Sequence, residues 1–413
     1  MKILVLNSGS SSQKASLYDF TDPLPPSPTA ALWDGQVEWQ GDRVVLQTRN
    51  STGAILNQAT NLGPRPEATV RLLDALTRGQ ARVLSSLSEL DVVGHRIVNG
   101  GQELTQPTAI TREVKTAIRS MSPLAPLHNR AELDGIEIIE KRMGDVLQVA
   151  VFDTGFHSGL PEAAAVYPGP YEWLRQGIRR YGFHGINHQY CAERAAQLLA
   201  KDPAALKLVT CHLGNGCSLA AIQGGRSVDT TMGFTPLEGL MMGTRSGSVD
   251  PGILTYLLRQ GHTGQDLDEI LNAKSGLLGI SGLSADMRMV VSAMQEGNAR
   301  AKLAFEVFIH RLRSGIAAMA ATLSGMDALV FTAGIGENSA EVRAAACSNF
   351  AFLGLAIDPA KNLTSGSDRD IATTHSAIRV LVIHAQEDWA IARECWKLSL
   401  AAKAATQKHY NEP

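Results

Sequence analysis

Short apolar runs separated by turn-forming residues dominate the start of the chain and predict β-strands. These predicted strands are residues 2–7, 14–20, 32–39, 43–48 and, as a continuous buried run, 147–152. Apolar residues at helical spacing lie between the fourth and fifth of them, and the helices they predict are 66–77, 111–121 and 129–143. The proline-rich stretch 22–28 is predicted to be a surface loop, because proline cannot occupy the interior of a sheet.

The second part of the chain repeats this alternation of strands and helices. Its predicted strands are residues 206–213, 218–223, 328–332 and 379–384. Its predicted helices are 251–260, 266–273, 286–323 in at least two pieces, 339–348 and 388–402. The whole chain is therefore expected to be of the α/β class.

The two parts also begin in the same way. Each opens with an apolar strand, a loop of Gly, Ser and Asn at 7–12 or 212–218, and a second strand. One such hairpin would mean little, but two at the starts of similar halves indicate a duplicated α/β domain. The expected domains are 1–150, completed by the C-terminal helix 388–402, and a nucleotide-binding domain at 151–387.

Composition and charge narrow the class of protein. With 413 residues, the chain favours two domains. A net charge of −2 gives no reason to expect a nucleic-acid or membrane partner. Five cysteines without a CxxC pair are expected to be buried and reduced, and the apolar run 3–6 is too short for a signal-peptide core. A cytoplasmic location is expected.

Three loops rich in small residues are candidates for binding phosphate or nucleotide. Residues 7–14 combine serines and a glycine with Lys14, 212–218 contain two glycines around Asn215, and 331–339 follow a predicted strand and open a helix. Glycines let the backbone approach an anion or a ribose closely. None matches a Walker or dinucleotide-binding motif, and each could also be an ordinary turn.

Two arginines stand among glycines and small residues. Arg96 lies between a predicted strand and a glycine turn, and Arg245 lies in the sequence Met-Gly-Thr-Arg-Ser-Gly. A guanidinium in such a setting is suited to a carboxylate or a phosphate, which its planar fork fits.

Histidines and carboxylates supply further candidates. His128 precedes a predicted helix, and His184 follows an aromatic residue between glycines. His184 and His188 have the spacing of a metal pair, but the glutamate of a zincin motif is missing between them, which argues against zinc. Asp153 and Glu387 follow predicted strands and could help to hold Mg²⁺, although ordinary caps or ion pairs are the alternative.

Nine segments, in this order, resemble the signature segments of the acetate kinases. They are residues 7–14, 95–101, 126–129, 151–154, 181–185, 212–218, 242–247, 284–288 and 331–339. Because they extend over nearly the whole chain, the resemblance is specific. It implies the duplicated actin-like (ribonuclease H-like) fold of the acetate and sugar kinase, Hsc70 and actin superfamily, whose two domains bind ATP in a central cleft.

The same resemblance implies an activity and a set of roles. The implied reaction is reversible in-line phosphoryl transfer from ATP to acetate, giving acetyl phosphate and ADP, and it requires Mg²⁺ or Mn²⁺. The resemblance also implies a homodimer and a role in acetyl-CoA biosynthesis. The implied catalytic residues are Arg96, Asp153, His184 and Arg245, and the implied metal-binding residues are Asn7 and Glu387. The implied substrate-binding residues are Arg96, Val98, Leu127, His128, Phe183 and Pro236. The implied nucleotide-binding residues are Lys14, His212, Gly214, Asn215, Gly216, Asp286, Met287, Arg288, Gly334, Ile335, Gly336 and Asn338.

Several residues depart from the family's usual pattern, but none of these departures removes a charged residue that phosphoryl transfer needs. They are Asn99, Arg130, the pair Ile186-Asn187, Ser248 and the pair Ala385-Gln386. A propionate or short-chain acyl kinase is the nearest alternative, because a methylene in an apolar pocket is worth only ~1–3 kcal/mol. Alternatives of other classes are an actin- or Hsc70-like ATPase switch and a non-catalytic carboxylate-binding protein.

Overall fold

A computed structural model describes residues 1–8, 12–40, 43–60, 65–122, 129–366 and 368–411. The chain divides into two compact units. Unit 1 comprises Met1–Gly155 with Gln386–Pro413, and unit 2 comprises Phe156–Ala385. Each unit is built around one β-sheet, so each is described by itself.

The sheet of unit 1 has eight strands within the described residues, in the order β5-β4-β3-β2-β1-β6-β8-β7. Their bounds are β1 Lys2–Ser8, β2 Ser12–Asp19, β3 Trp33–Gln40, β4 Arg43–Asn50, β5 Ile55–Thr60, β6 Val92–Ile97, β7 Thr108–Ala109 and β8 Leu147–Phe152. Strands β1 to β5 pair antiparallel in sequence, whereas β6 pairs parallel with both β1 and β8. A parallel pairing needs a crossover, which the helices between these strands provide.

Helices and the C-terminal segment cover this sheet. Their bounds are α1 Arg65–Thr77, α2 Arg112–Ser120, α3 Asn129–Met143 and a C-terminal helix Glu387–Asn411. Trp33, Leu72, Leu73 and Ile139 lie in one fully buried cluster between α1, α3 and the strands. A smaller cluster joins α2, α3 and the strands β6 and β8. This packing fixes the carboxyl ends of β6 and β8 relative to α3.

The sheet of unit 2 has six strands, within the same described residues, in the order β11-β10-β9-β12-β14-β13. Their bounds are β9 Lys207–Leu213, β10 Cys217–Gln223, β11 Arg226–Thr230, β12 Ala328–Thr332, β13 Arg369–Asp370 and β14 Arg379–Val382. The helices are α4 Glu162–Ala165, α5 Glu172–Arg175, α6 Gly185–Leu199, α7 Pro251–Arg259, α8 Gly264–Ala273, α9 Gly276–Ser281, α10 Met287–Gln295, α11 Ala299–Thr322, α12 Ala333–Asn338, α13 Ala340–Cys347 and α14 Pro359–Leu363.

The two sheets share one arrangement of strands. In unit 1 the order β3-β2-β1 is an antiparallel meander, after which β6 and β8 are added in parallel. In unit 2 the order β11-β10-β9 is an antiparallel meander, after which β12 and β14 are added in parallel. The prediction of a duplicated α/β fold is confirmed.

Some elements were missed by the sequence patterns. Strand β5 and strand β11 were not predicted, and neither was helix α6. Helix α6 lacks a start signal, because His184 at its N-cap has a left-handed backbone (φ 56°) and makes no side-chain capping hydrogen bond. Strand β11 is a five-residue edge strand with alternating polar residues, so its sequence resembles that of a loop.

Strand pairing determines which unit holds two of the candidate residues. The expected second domain began at residue 151 and included Asp153 and Glu387. In the structure, β8 pairs with β6 in the sheet of unit 1, so Asp153 follows a strand of unit 1. Glu387 begins the C-terminal helix, which packs on β1 and β6 and also belongs to unit 1.

All five cysteines are free thiols in buried positions. Burial raises the pKa of Cys211, Cys217, Cys347 and Cys395, to about 12 for Cys217 and Cys347. The prediction that the cysteines are buried is confirmed. In the described part of the chain, no helix combines the length and the hydropathy needed to cross a bilayer.

Candidate functional site

Arg96 and Asp153 form a buried ion pair at the carboxyl ends of β6 and β8. The Arg96 Nε donates to Asp153 Oδ1 at 3.3 Å, Nη2 donates to Asp153 Oδ2, and Nη1 donates to Asn7 Oδ1 at 3.3 Å. Burial alone would lower the pKa of Arg96, but the nearby Asp153 and Glu387 raise it overall. The guanidinium therefore stays charged, and these contacts use three of its five N–H donors.

Asn7 links this ion pair to the start of the C-terminal helix. Its Nδ2 donates to Asp388 Oδ1 at 3.2 Å, and Ser16 Oγ donates to Asp388 Oδ2 at 2.9 Å. Burial and the Asp388 carboxylate raise the pKa of Glu387, against the lowering effects of Arg96, Lys14 and Asn7. Carboxylates thus gather around one arginine, and an added cation would stabilise their ionised forms.

The chain that leaves β6 turns sharply at Gly100. A Cβ there would lie 2.1 Å from the carbonyl oxygen of Leu104, so only glycine fits. The Gly100 N–H donates to Thr154 Oγ1 at 3.2 Å, which ties this turn to the residue after Asp153. Val98, just before the turn, is 4% exposed. Arg96 and Val98 are therefore held on a rigid segment.

In unit 2, His184 and His212 lie ring against ring. Their centroids are 3.9 Å apart, with an interplanar angle of 12°. His184 has a positive φ of 56°, which is uncommon for a residue other than glycine and is maintained by its surroundings. Asn187 Nδ2 donates to His212 Nδ1 at 2.8 Å, which places the proton of a neutral His212 on Nε2.

A buried hydrogen-bond chain orients His184. Ser218 Oγ lies 2.9 Å from His184 Nδ1 and 2.7 Å from His188 Nε2, and His188 Nδ1 lies 2.7 Å from Thr210 Oγ1. Burial, with smaller effects from His157 and His212, lowers the pKa of His188 well below its usual value. His188 is therefore neutral and positions His184, a role that the sequence did not reveal.

Gly216 allows an arginine and a histidine to approach one loop. A Cβ at Gly216 would lie 3.0 Å from Arg245 Nη2 and 3.3 Å from His184 Nε2. Arg245 Nη1 donates to the Pro236 carbonyl oxygen at 2.5 Å. Burial lowers the pKa of Arg245, and this arginine forms no ion pair with the carboxylates that the structure describes. A partly buried cation without a counter-ion is suited to receive an anion.

The predicted nucleotide segment 331–339 contains a short helix rather than an open turn. Helix α12 follows β12 directly, and Ser339 caps α13 by accepting from Val342 N. Asn338 Nδ2 donates to the Gly334 carbonyl at 2.9 Å. Arg343, which is 1% exposed, donates to the carbonyls of Gly336 and Glu337 at 2.9 and 2.8 Å. The sequence did not single out Arg343, since nothing in the local pattern marks it as buried.

The remaining predicted nucleotide residues are Asp286, Met287 and Arg288 at the start of α10 in unit 2, and Lys14 on β2 in unit 1. Asp286 caps α10 and binds Arg288 through N–H and guanidinium donors, and Arg288 lowers the pKa of Asp286. Met287 is 2% exposed and packs in the core. Lys14 is exposed on β2. Their proposed contacts with nucleotide remain predictions.

The structure therefore gathers the predicted residues into two groups. Unit 1 brings together Asn7, Arg96, Val98, Asp153 and Glu387. Unit 2 brings together a second set, which consists of Phe183, His184, His212, Gly214, Asn215, Gly216, Pro236 and Arg245. Ile335 lies in helix α12, outside this set. Leu127 and His128 lie outside the described residues.

Oxygen donors of unit 1 fit a magnesium ion. Among the described residues, no group of three or more His, Cys, Asp or Glu side chains is arranged to hold a metal. Mg²⁺ usually takes only one or two protein carboxylates and completes its shell with water and phosphate. Asn7 Oδ1 and the Glu387 carboxylate are hard oxygen donors of that kind, in a cluster with excess negative charge.

Comparisons with known proteins identify the family. The model of the acetokinase family matches residues 2–393. The chain is 58% identical to an acetate kinase from Nostoc punctiforme, over 96% of this chain and 99% of that protein. A crystal structure of acetate kinase from Porphyromonas gingivalis is similar, with 38% identity, a TM-score of 0.87, and coverage of 96% of this chain and 99% of that one.

A crystal structure of a propionate kinase from Francisella tularensis is also similar, with 37% identity, a TM-score of 0.87 and the same coverage of the two chains. These similarities extend over nearly the whole chain. The family predicted from nine short segments is confirmed: this chain belongs to the acetokinase family.

Proposed function

We propose that this protein is a kinase that transfers a phosphoryl group reversibly between ATP and acetate, giving acetyl phosphate and ADP. The relatives at 58% and 59% identity, from Nostoc punctiforme and Gloeobacter violaceus, are named acetate kinases. The observation that carries the proposal is the guanidinium of Arg245, which forms no ion pair with the described carboxylates and lies next to His184 at the glycine loop 214–216.

These residues suit the charges of phosphoryl transfer. Acetate is already a carboxylate, so no base is needed to deprotonate it, and the main requirements are alignment and charge stabilisation. Arg245 and the Nε2 edge of His184 would meet the oxygens of the phosphoryl group in flight. Arg96, fixed by Asp153 and Asn7, would bind the carboxylate of acetate with its remaining donors.

The nucleotide would bind mainly to unit 2. His212, Asn215 and the glycines 214 and 216 would meet the phosphates, while α12, Asp286 and Arg288 would meet the adenosine. Arg343 supports this role, because it fixes two carbonyl groups of α12 from the core side. Lys14 would add a positive charge for the phosphates from unit 1.

Asn7 and Glu387 would hold Mg²⁺, or Mn²⁺ in its place, together with phosphate oxygens and water. When bound, the ion would neutralise phosphate charge. Asp153 is bound to Arg96, so its proposed contribution is to orient that arginine rather than to contact the substrate or the metal itself. This assignment leaves the chemistry of acetate activation to the arginines and His184.

The resemblance assigns the methyl group of acetate to Val98 in unit 1 and to Phe183 and Pro236 in unit 2, together with Leu127 and His128. Val98 and Phe183 are 4% and 1% exposed, so their positions are fixed by packing. A fixed apolar wall favours the smaller acyl group, but only by ~1–3 kcal/mol per methylene. Propionate is therefore expected to be a slower substrate.

We further propose that the protein is a cytoplasmic homodimer that serves acetyl-CoA biosynthesis. Helix α7 supports the dimer, because none of its residues is buried although its sequence is Pro-Gly-Ile-Leu-Thr-Tyr-Leu-Leu-Arg. Ile253, Tyr256 and Leu258 are 47%, 59% and 48% exposed. Such a surface is unusual on a monomer, and its single charge offers no obstacle to packing on a second copy.

A hydroxamate assay tests the function. The purified protein is given acetate, ATP, Mg²⁺ and hydroxylamine, which converts acetyl phosphate to acetohydroxamate. We expect product that depends on acetate and ATP, and a lower kcat/KM when propionate replaces acetate. ATP hydrolysis that is indifferent to acetate, without hydroxamate, would instead indicate an ATPase switch.

A further inference from the structure

Glu132 is a buried carboxyl group that the reaction described above does not use. It lies in the first turn of α3 and is 2% exposed. Its Oε1 and Oε2 accept from the backbone N–H of Val98 at 3.1 and 3.3 Å. A buried carboxyl group is costly unless it makes such hydrogen bonds, so its presence requires an explanation.

The protonation state of Glu132 suits this contact. Burial raises the pKa of Glu132 to about 8, against the lowering effects of Arg96 and of the Val98 N–H. At neutral pH the group is therefore mainly the uncharged acid, whose carbonyl oxygen accepts from the backbone. Glutamine has the same length and the same acceptor, which makes it a close substitute.

A second side chain of the same helix turn holds the next residue. Asn129 Nδ2 donates to the Asn99 carbonyl at 3.4 Å and to the Ile118 carbonyl at 3.2 Å. The N–H of Val98 and the carbonyl of Asn99 are thus both bound to the start of α3. Because β6 ends at Ile97, these two contacts take over where the sheet stops fixing the backbone.

We propose that Glu132 is a positioning residue for acetate: by binding the Val98 backbone it sets the place of the Val98 side chain and of the segment that begins at Arg96. This inference rests on the proposed function, which assigns Val98 and Arg96 to the substrate. Small displacements of positioning groups alter substrate binding strongly, even when the residue that moved them is distant from the chemistry.

Two substitutions distinguish the effect of the length of the Glu132 side chain from the effect of its carboxyl group. Glu132→Gln keeps the acceptor at the same distance, whereas Glu132→Asp keeps the carboxyl group but shortens the side chain by one methylene. We expect the KM for acetate to rise about 10-fold in Glu132→Asp and less than about threefold in Glu132→Gln, with the KM for ATP within about twofold of wild type in both. KM does not depend on the fraction of active enzyme, so a partly misfolded preparation remains informative.

The matched control is Glu137→Gln. Glu137 lies on the same helix and pairs with Arg119 at the surface, where both side chains are exposed. The Glu137→Gln substitution should change neither the KM for acetate nor the KM for ATP. An unchanged KM for acetate in Glu132→Asp, an equal rise in Glu132→Gln, or a parallel rise in both KM values would overturn the proposal. Absence of acetate-dependent hydroxamate from the wild-type protein would instead overturn the proposed function.

Discussion

At the scale of single residues, the candidate site depends on side chains that are held before any substrate arrives. Arg96 is bound to Asp153 and Asn7, and His184 is bound to Ser218. Arg245 differs, because its only described contact of this kind is with the Pro236 carbonyl. Its positive charge has no ion-pair partner among the described carboxylates and is therefore available to a phosphoryl group.

Replacing Arg245 tests this difference. Arg245→Ala should lower kcat by a factor on the order of 10²–10³, as the loss of one charge-stabilising donor does in other enzymes. Steady-state hydroxamate formation measures it. The control is Arg175→Ala, since Arg175 is exposed and its described partners, Glu172 and the Tyr171 ring, are neighbours in sequence. A kcat near that of wild type in Arg245→Ala would contradict the role.

At the scale of elements, strand ends and helix starts bring together residues that are distant in sequence. Glu132 accepts a hydrogen bond from Val98, which lies 34 residues earlier in the sequence. Arg343 of α13 donates hydrogen bonds to carbonyl groups of α12. The sequence predicted most of the long strands, the glycine loops, Arg96 and Arg245, because each has a local signal. It could not predict these partners, since a glutamate or an arginine in a helix usually lies on a solvated face.

Strand β6 supplies a prediction on pH. His95 is 3% exposed, and its Nε2 lies 2.8 Å from Gln148 Oε1 of the neighbouring strand β8. Burial lowers the pKa of His95 to about 4, only partly opposed by the hydrogen bond to Gln148. The unfolded chain therefore binds a proton below about pH 6.5 that the folded protein does not, so stability falls as the pH drops from 6.5 towards 4.

Urea unfolding at several pH values measures this effect. From pH 7 to pH 5, His95 should contribute a loss of about 2 kcal/mol in the free energy of unfolding. In His95→Gln that part of the pH dependence should disappear. The control is His262→Gln, because His262 is exposed. An equal pH dependence in wild type and His95→Gln would contradict the assignment.

At the scale of the whole molecule, the two units carry candidate residues on equivalent strands. Asn7 lies on β1 and His212 on the equivalent strand β9. Arg96 lies on β6, and its counterpart β12 leads into α12. Ligands of α/β proteins bind beyond the carboxyl ends of parallel strands, so the duplication accounts for two groups of candidates rather than one.

The exposed face of α7 supplies a prediction on assembly. Tyr256→Glu would place a charge in the proposed contact between two copies, and should shift the protein from two chains to one in multi-angle light scattering. The control is Tyr171→Glu, because Tyr171 is 69% exposed at the N-cap of α5, away from α7 in sequence. A wild-type protein with the mass of one chain would contradict the dimer.

The buried thiols have a practical consequence. Thiolates, not thiols, react with maleimides, and the five cysteines combine burial with, in four of them, a raised pKa. A cysteine introduced at an exposed position, such as Leu363 in unit 2, would therefore take a fluorophore against a low background. With a second introduced cysteine in unit 1, one dye on each unit would allow energy transfer to be measured during turnover without removing any of the five native cysteines.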